Sequence, residues 1–210
     1  MYVTEIFESI QGETTESGRP CAFVRFTGCD LRCGYCDSAY AFHGGKHMSR
    51  EQILAALEPY GTRFVTLTGG EPLLQKELPE LCGDLLARGW EVSIETHGQR
   101  RLDRIPAGVA RIIDVKTPDS KEETKDFFAL QDLRAKDQVK FVVCSEADFR
   151  WSLEIIRRFE LESRCPVLLS PSWGQVNPKD LVRWMLESKV KARLNLQIHK
   201  YIWGPEVTGV

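Results

Sequence analysis

Residues 63–95 read RFVTLTGGEPLLQKELPELCGDLLARGWEVSIE, and this stretch decides the fold. Arg63–Thr68 is short and rich in β-branched and large apolar residues, which is strand composition. Gly69-Gly70-Glu71-Pro72 then breaks the run. From Pro72 to Arg88, the leucines at 73, 74, 78, 81, 85 and 86 fall near helical spacing, and Gly89 follows as a stop. Glu91–Glu95 opens a second strand. Strand, helix and strand in succession make a βα unit feeding a parallel sheet.

The same rhythm runs outward in both directions. Further strands are expected at Val3–Ser9, Ala22–Thr27, Arg111–Val115, Val139–Val143, Val167–Leu169 and Ala192–Leu196. Ser49 with Gln52 forms a capping box for a helix, Ala147–Phe159 has helical periodicity, and Asn177 caps a helix beginning at Pro178. About six βα units with an added N-terminal strand are too few for a closed eight-fold barrel. The expected fold is therefore α/β: one domain, residues 1–210, an incomplete, open (β/α)6-type partial TIM barrel. Ligands in such sheets gather at the carboxyl ends of the strands. Those ends carry Gly28-Cys29, Gly69–Pro72, Thr96–Gly98, Lys116–Pro118, Ser145, Ser170–Ser172 and Gln197.

Composition narrows the function. The chain has 210 residues, 42% of them hydrophobic, a fraction typical of globular proteins and too high for disorder. It carries 28 basic and 30 acidic side chains, a net charge of −2 that leaves no electrostatic footprint for nucleic acid. No apolar run approaches a membrane span, and Met1–Glu5 lacks a signal-peptide pattern, so a cytoplasmic protein with reduced thiols is expected. Seven cysteines fit a disulfide framework poorly. Cys21, Cys82, Cys144 and Cys165 are scattered and read as packing residues.

The other three crowd into Gly28-Cys-Asp-Leu-Arg-Cys-Gly-Tyr-Cys-Asp37. Cys29, Cys33 and Cys36 can wrap one metal centre from a single loop. Thiolates hold iron–sulfur clusters, and three ligands on a cubane leave one iron free for another molecule. The alternative is a zinc-stabilised binding module, with His43 and His47 completing a Cys/His set.

The CxxxCxxC loop with Tyr35 before its last cysteine, followed by Thr68-Gly69-Gly70-Glu71-Pro72, resembles the radical S-adenosylmethionine superfamily. Ile6–Glu13, Phe23–Cys29, Cys36-Asp37-Ser38, Glu95–Gly98, Asp114–Pro118 and Leu196–Trp203 resemble the 7-carboxy-7-deazaguanine synthase family within it. That resemblance implies conversion of 6-carboxy-5,6,7,8-tetrahydropterin to 7-carboxy-7-deazaguanine with loss of ammonia, for queuosine and other deazapurines. It implies a 4Fe–4S cluster on Cys29, Cys33 and Cys36, S-adenosylmethionine, and Mg2+ on Ser38. It also implies a homodimer and an electron donor such as flavodoxin. The substrate would meet Ile10, Gln11, Gly12, Glu13, Arg25, Thr68 and Val210, whose terminal carboxylate is expected to fold over it. The cofactor would meet Tyr35, Cys36, Asp37, Gly70, Glu71, Lys116, Thr117, Pro118, Ser170, Pro171, Ser172 and Trp173. The chemistry falls to cluster and cofactor rather than to a catalytic side chain. Three positions depart from the family pattern: Ser38 for threonine, Glu13-Thr14 without a further glycine, and His97 for asparagine. An activase that installs a glycyl radical on a partner shares the cysteine pattern but has no need of Gln11–Glu13 and Arg25.

Overall fold

Apolar and polar residues alternate along the central strands, and the sheet sorts them onto opposite faces. The computed structural model describes residues 1–210. Its strands are β1 (Tyr2–Ile10), β2 (Pro20–Phe26), β3 (Lys46–His47), β4 (Phe64–Gly69), β5 (Glu91–Thr96), β6 (Ala110–Asp114), β7 (Gln138–Val143), β8 (Val167–Pro171) and β9 (Arg193–Leu194). Helices are α1 (Arg50–Leu57), α2 (Leu78–Ala87), α3 (Phe128–Gln131), α4 (Glu146–Arg158), α5 (Leu161–Arg164), α6 (Pro178–Ser188) and α7 (Ile198–Trp203).

All nine strands form one open sheet in the order β3-β1-β2-β4-β5-β6-β7-β8-β9. Neighbours from β2 to β9 run parallel, whereas β1 is antiparallel to both β2 and β3. This is the expected partial barrel with its extra N-terminal strand. Val24, Phe26, Val65, Leu67, Val92, Ile94, Val139 and Phe141 face the helices and build the core. Their strand neighbours Arg25, Thr66, Thr68, Ser93, Glu95 and Lys140 face inward. A parallel sheet buried on both sides is ordinarily apolar on both. Here the inner face is polar because it lines a cavity.

Arg111 anchors the outer layer. It is 0% exposed, and its guanidinium grips the equally buried Asp137 with Nη2–Oδ2 at 2.5 Å. Asp137 also accepts the Arg111 and Arg134 backbone N–H groups at 3.1 and 2.7 Å.

Three expectations change. The helix from Pro72 to Arg88 is broken into a 3-10 turn, Pro72–Leu74, and α2. Gln75 between them is extended, because its side chain ties two strands together. Its Oε1 accepts the Tyr2 N–H and its Nε2 donates to the Thr27 carbonyl, both at 3.0 Å. The strand at 192–196 shrinks to Arg193–Leu194, because Asn195 donates its side-chain amide to the Glu13 carbonyl. Residues 198–203, read only as a motif, form α7. Of the scattered cysteines, Cys21 and Cys82 are buried, Cys144 and Cys165 half-buried. No helix is long and apolar enough to cross a membrane.

Candidate active site

The carboxyl ends of the parallel strands and their inner faces enclose a cavity of about 720 Å³. Cys29, Cys33 and Cys36 all line it, and no other cysteine does. All three are free thiols on an ordered loop. The Gly28 N–H donates to Ala41 O at 2.8 Å, Gly34 N–H to Ser120 O at 2.8 Å, and Arg32 N–H to Glu122 at 2.7 Å. His43 and His47 are exposed and lie outside the cavity, so the Cys/His zinc set is not assembled. Three thiols facing one cavity suit a cluster with an open iron.

The turn after β4 packs directly on this loop. A Cβ on Gly70 would stand 2.1 Å from Gly28 O and 2.9 Å from the Cys29 Cβ. The glycine is therefore required by loop-on-turn contact, whatever else it meets. Glu71 does not face the cavity, contrary to expectation. Its carboxylate is fully buried and accepts from Thr96 Oγ1 at 2.8 Å, Leu73 N–H at 2.9 Å and His97 N–H at 3.0 Å. The side chain of Glu71 is a bolt between β4 and β5, capping the 3-10 turn.

Other expected cofactor residues divide. Tyr35, Cys36, Asp37, Gly70, Lys116, Ser172 and Trp173 line the cavity, whereas Thr117, Pro118, Ser170 and Pro171 stand behind its wall. Thr117 is buried because its hydroxyl joins β7 to α4 through Val142 O and Asp148, at 3.0 and 2.9 Å. Pro118 opens a 3-10 turn, and Ser170 and Pro171 are buried strand residues of β8. The Tyr35 and Ser172 hydroxyls are buried without protein partners, as is Asp114 Oδ1.

Ile10, Gln11, Gly12, Glu13, Arg25, Thr68 and Val210 all line the same cavity. A Cβ on Gly12 would lie 2.4 Å from His199 Nδ1, so the bare backbone lets α7 close over this loop. Arg25 is already held by a carboxylate: its Nε donates to Glu5 at 2.7 Å and its Nη1 to Ser38 Oγ at 3.3 Å. Gln11 donates to Thr66 Oγ1 at 3.1 Å and to Glu95 at 3.2 Å, and Thr68 donates to the other Glu95 oxygen at 3.2 Å.

Sequence reasoning missed the charge ladder across the floor. Lys116 pairs with Asp114 at 2.9 Å, Lys140 bridges Asp114 at 3.4 Å and Glu13 at 2.9 Å. Burial raises the pKa of Glu13, but Lys140, with His199 and Gln197, outweighs it and holds the carboxyl well below its usual range. Asp114 behaves likewise: burial raises it, Lys116 and Lys140 prevail, and its pKa is lowered. Burial pushes Lys116 and Lys140 down, but the carboxylates lift both above the usual lysine range. Glu95 goes the other way, since burial outweighs the Lys140 attraction and raises it. A lysine in mid-strand between apolar residues, Gln138-Val-Lys140-Phe, was the available signal.

The C-terminal segment forms a wall. Lys200 pairs with Asp37 at 2.6 Å, Gln197 donates to Glu13 at 2.9 Å, and residues 205–210 line the cavity. Glu13, Asp37 and His199 bring one ligand atom each within 4.8 Å of one another. Both carboxylates are already neutralised by Lys140 and Lys200, which disfavours a cation there.

The radical SAM superfamily model matches residues 23–160. A 7-carboxy-7-deazaguanine synthase of Koribacter versatilis is 42% identical, with all of both chains covered. That of Chlorobaculum tepidum is 39% identical over 99% of this chain and 96% of its own. The crystal structure of QueE from Escherichia coli superposes with a TM-score of 0.76 at 22% identity, covering 93% of each chain, a likeness of fold. With the cysteine loop, the open barrel and these relatives in agreement, the chain belongs to the 7-carboxy-7-deazaguanine synthase family of the radical S-adenosylmethionine superfamily.

Proposed function

We propose that this chain converts 6-carboxy-5,6,7,8-tetrahydropterin to 7-carboxy-7-deazaguanine with loss of ammonia. The observation that carries the reading is one cavity lined by two chemically distinct sets of residues. Cys29, Cys33 and Cys36 line it together with a polar set, Gln11, Glu13, Arg25, Thr68 and Glu95. Cys29, Cys33 and Cys36 would hold a 4Fe–4S cluster, which with S-adenosylmethionine would supply reversible hydrogen-atom abstraction from the substrate.

The chain's own residues bind, orient and exclude water. Tyr35 and Asp37, which line the cavity together with the cysteines, would flank the cofactor's base and ribose. Gln11, Glu95 and Thr68 present a fixed polar edge to a flat heterocycle. Glu5 orients Arg25 so that its remaining N–H groups face a substrate carboxylate, a geometry lysine lacks. Residues 205–210 and α7 shield the site.

Mg2+ at Ser38 belongs to the same proposal. Ser38 Oγ lies in the cavity, 3.1 Å from Asp37 Oδ1. Arg25 Nη1 donates to that hydroxyl at 3.3 Å and Lys200 holds Asp37 at 2.6 Å, so the ion would have to displace the guanidinium contact and would keep most of its waters. A homodimer and an electron donor such as flavodoxin rest on the family resemblance. The exposed Tyr201, Ile202 and Trp203 give the dimer a candidate apolar face. Anaerobic incubation of reconstituted protein with the pterin, S-adenosylmethionine, reductant and Mg2+ tests the reading. Product is expected with wild type and absent with Cys33→Ala. Formation of 5′-deoxyadenosine without product would contradict the substrate assignment. Undiminished turnover after Mg2+ removal would contradict the metal.

A further inference from the structure

We propose that His97 is a positioning residue that locks the cysteine loop onto the Gly70-Glu71 turn through one fixed tautomer. The inference rests on the cluster and cofactor reading above. It concerns a residue that departs from the family pattern and borders the cavity without being among the expected ligand residues.

The ring is almost wholly enclosed, its side chain 4% exposed. Its Nδ1 accepts the Gln99 backbone N–H at 3.1 Å, so that nitrogen carries no hydrogen. The hydrogen is therefore on Nε2. That nitrogen donates to Asp30 Oδ1 at 3.0 Å, while the backbone N–H of His97 donates to Glu71 Oε2 at 3.0 Å. The tautomer is assigned from the hydrogen-bond network. Asp30 directly follows Cys29, and Glu71 directly follows Gly70. One residue thus spans the loop that carries the cysteines, through its ring, and the turn beside them, through its backbone.

The remaining ties explain why this donor matters. Glu71 is fixed independently by Thr96, Leu73 and the His97 backbone, and its own N–H donates to Gly28 O at 2.8 Å. Asp30 has no such support. Its other partner is Arg100, at 2.8 Å, and that pair is exposed on both sides, at 40% and 39%. Exposed pairs hold geometry weakly. His97 is the buried, directional restraint on the Asp30 carboxylate.

The test uses the reconstituted protein and reads cofactor binding by electron paramagnetic resonance of the reduced cluster, with and without S-adenosylmethionine. His97→Leu removes the donor while filling similar volume. His97→Gln returns an N–H near the place of Nε2. Asp30→Asn removes the acceptor charge. A hydrogen bond to a charged group is worth roughly a factor of ten in an equilibrium constant. His97→Leu is therefore expected to bind its normal complement of iron, raise the S-adenosylmethionine concentration for half-maximal spectral shift about tenfold, and raise KM for it equally, with kcat within about threefold. His97→Gln recovers most of that loss. In the Asp30→Asn background, His97→Leu adds less than about twofold, since the tether is already broken.

Three results overturn the proposal: a shift of less than about twofold in His97→Leu, multiplicative effects of His97→Leu and Asp30→Asn, or His97→Gln no better than leucine. Lost iron in all three variants would assign His97 to folding alone and also overturn it. The spectral titration needs no pterin. A wild-type chain that shifts its signal with S-adenosylmethionine but leaves the pterin untouched would defeat the substrate reading and leave this test standing.

Discussion

Lys140→Met would orphan a buried carboxylate, and the size of the effect follows from its neighbours. Lys140 is 6% exposed and contacts Glu13 at 2.9 Å and Asp114 at 3.4 Å. Asp114 keeps Lys116 at 2.9 Å after the change. Glu13 keeps only neutral Gln197 at 2.9 Å and His199 at 3.8 Å. Removing one partner of a buried pair costs about 3–5 kcal/mol. With one carboxylate orphaned rather than two, about 3 kcal/mol is expected at neutral pH. At about 2–4 °C per kcal/mol for a chain of this size, Tm falls by roughly 6–12 °C. The sign with pH is distinctive. In the wild type the Glu13 pKa is lowered on folding, so its contribution is complete above the unfolded value of about 4.3 and fades only below it. In the variant, burial is opposed only by Gln197 and His199, and the folded pKa is expected to rise above about 4.3, so stability falls as pH rises through that window. Melting curves at pH 5, 6, 7 and 8 should show the gap from wild type widening with pH. Glu13→Gln in the Lys140→Met background should close most of it. A gap under about 1 kcal/mol, a gap independent of pH, or no recovery with Glu13→Gln refutes the reasoning.

Other outcomes follow from single contacts. Gly70→Ala drives a Cβ to 2.1 Å from Gly28 O, so iron per chain after reconstitution should fall sharply while far-ultraviolet dichroism is retained. Arg111→Met leaves Asp137 buried and unpaired, and urea denaturation should report a loss of about 3–5 kcal/mol with kcat of the folded fraction unchanged. Arg25→Lys keeps the charge but loses the planar fork, so KM for the pterin should rise at least about tenfold with iron content normal. Ser38→Thr adds a methyl that stiffens χ1, and should lower the Mg2+ concentration needed for half-maximal turnover.

The barrel was legible because its signals are local. The run from Arg63 to Glu95 carries strand, stop and strand in order, and Ser49 with Gln52 forms the capping box its sequence promised. The break at Gln75 was not legible, because two strands far away in sequence pull that side chain out of helical register. The cysteine loop could be read at once, since three ligands within eight residues need no tertiary information. Glu71 shows the converse: its motif neighbours the site, yet Thr96 and the His97 backbone claim its carboxylate, and nothing in the motif reports them. Lys140 is not legible because it sits inside a strand that otherwise reads as core, and Asp114, quoted only as part of a motif, ends another. Period-2 alternation places both on the inner face, and that reading becomes available once the inner face is known to line a cavity. Thr117 and Ser170 failed for a related reason, since polar residues at strand ends often serve the turn or the next helix.

The central claim is that one cavity joins a three-cysteine cluster site to a pterin site. The most direct measurement is product formation by reconstituted protein given 6-carboxy-5,6,7,8-tetrahydropterin deuterated at C6, S-adenosylmethionine and reductant. Multiple turnovers per cofactor, with the deuterium passing into recovered S-adenosylmethionine, are predicted, and Cys33→Ala should give none. Product formed without deuterium ever entering the cofactor, or equal turnover by Cys33→Ala, would contradict the account.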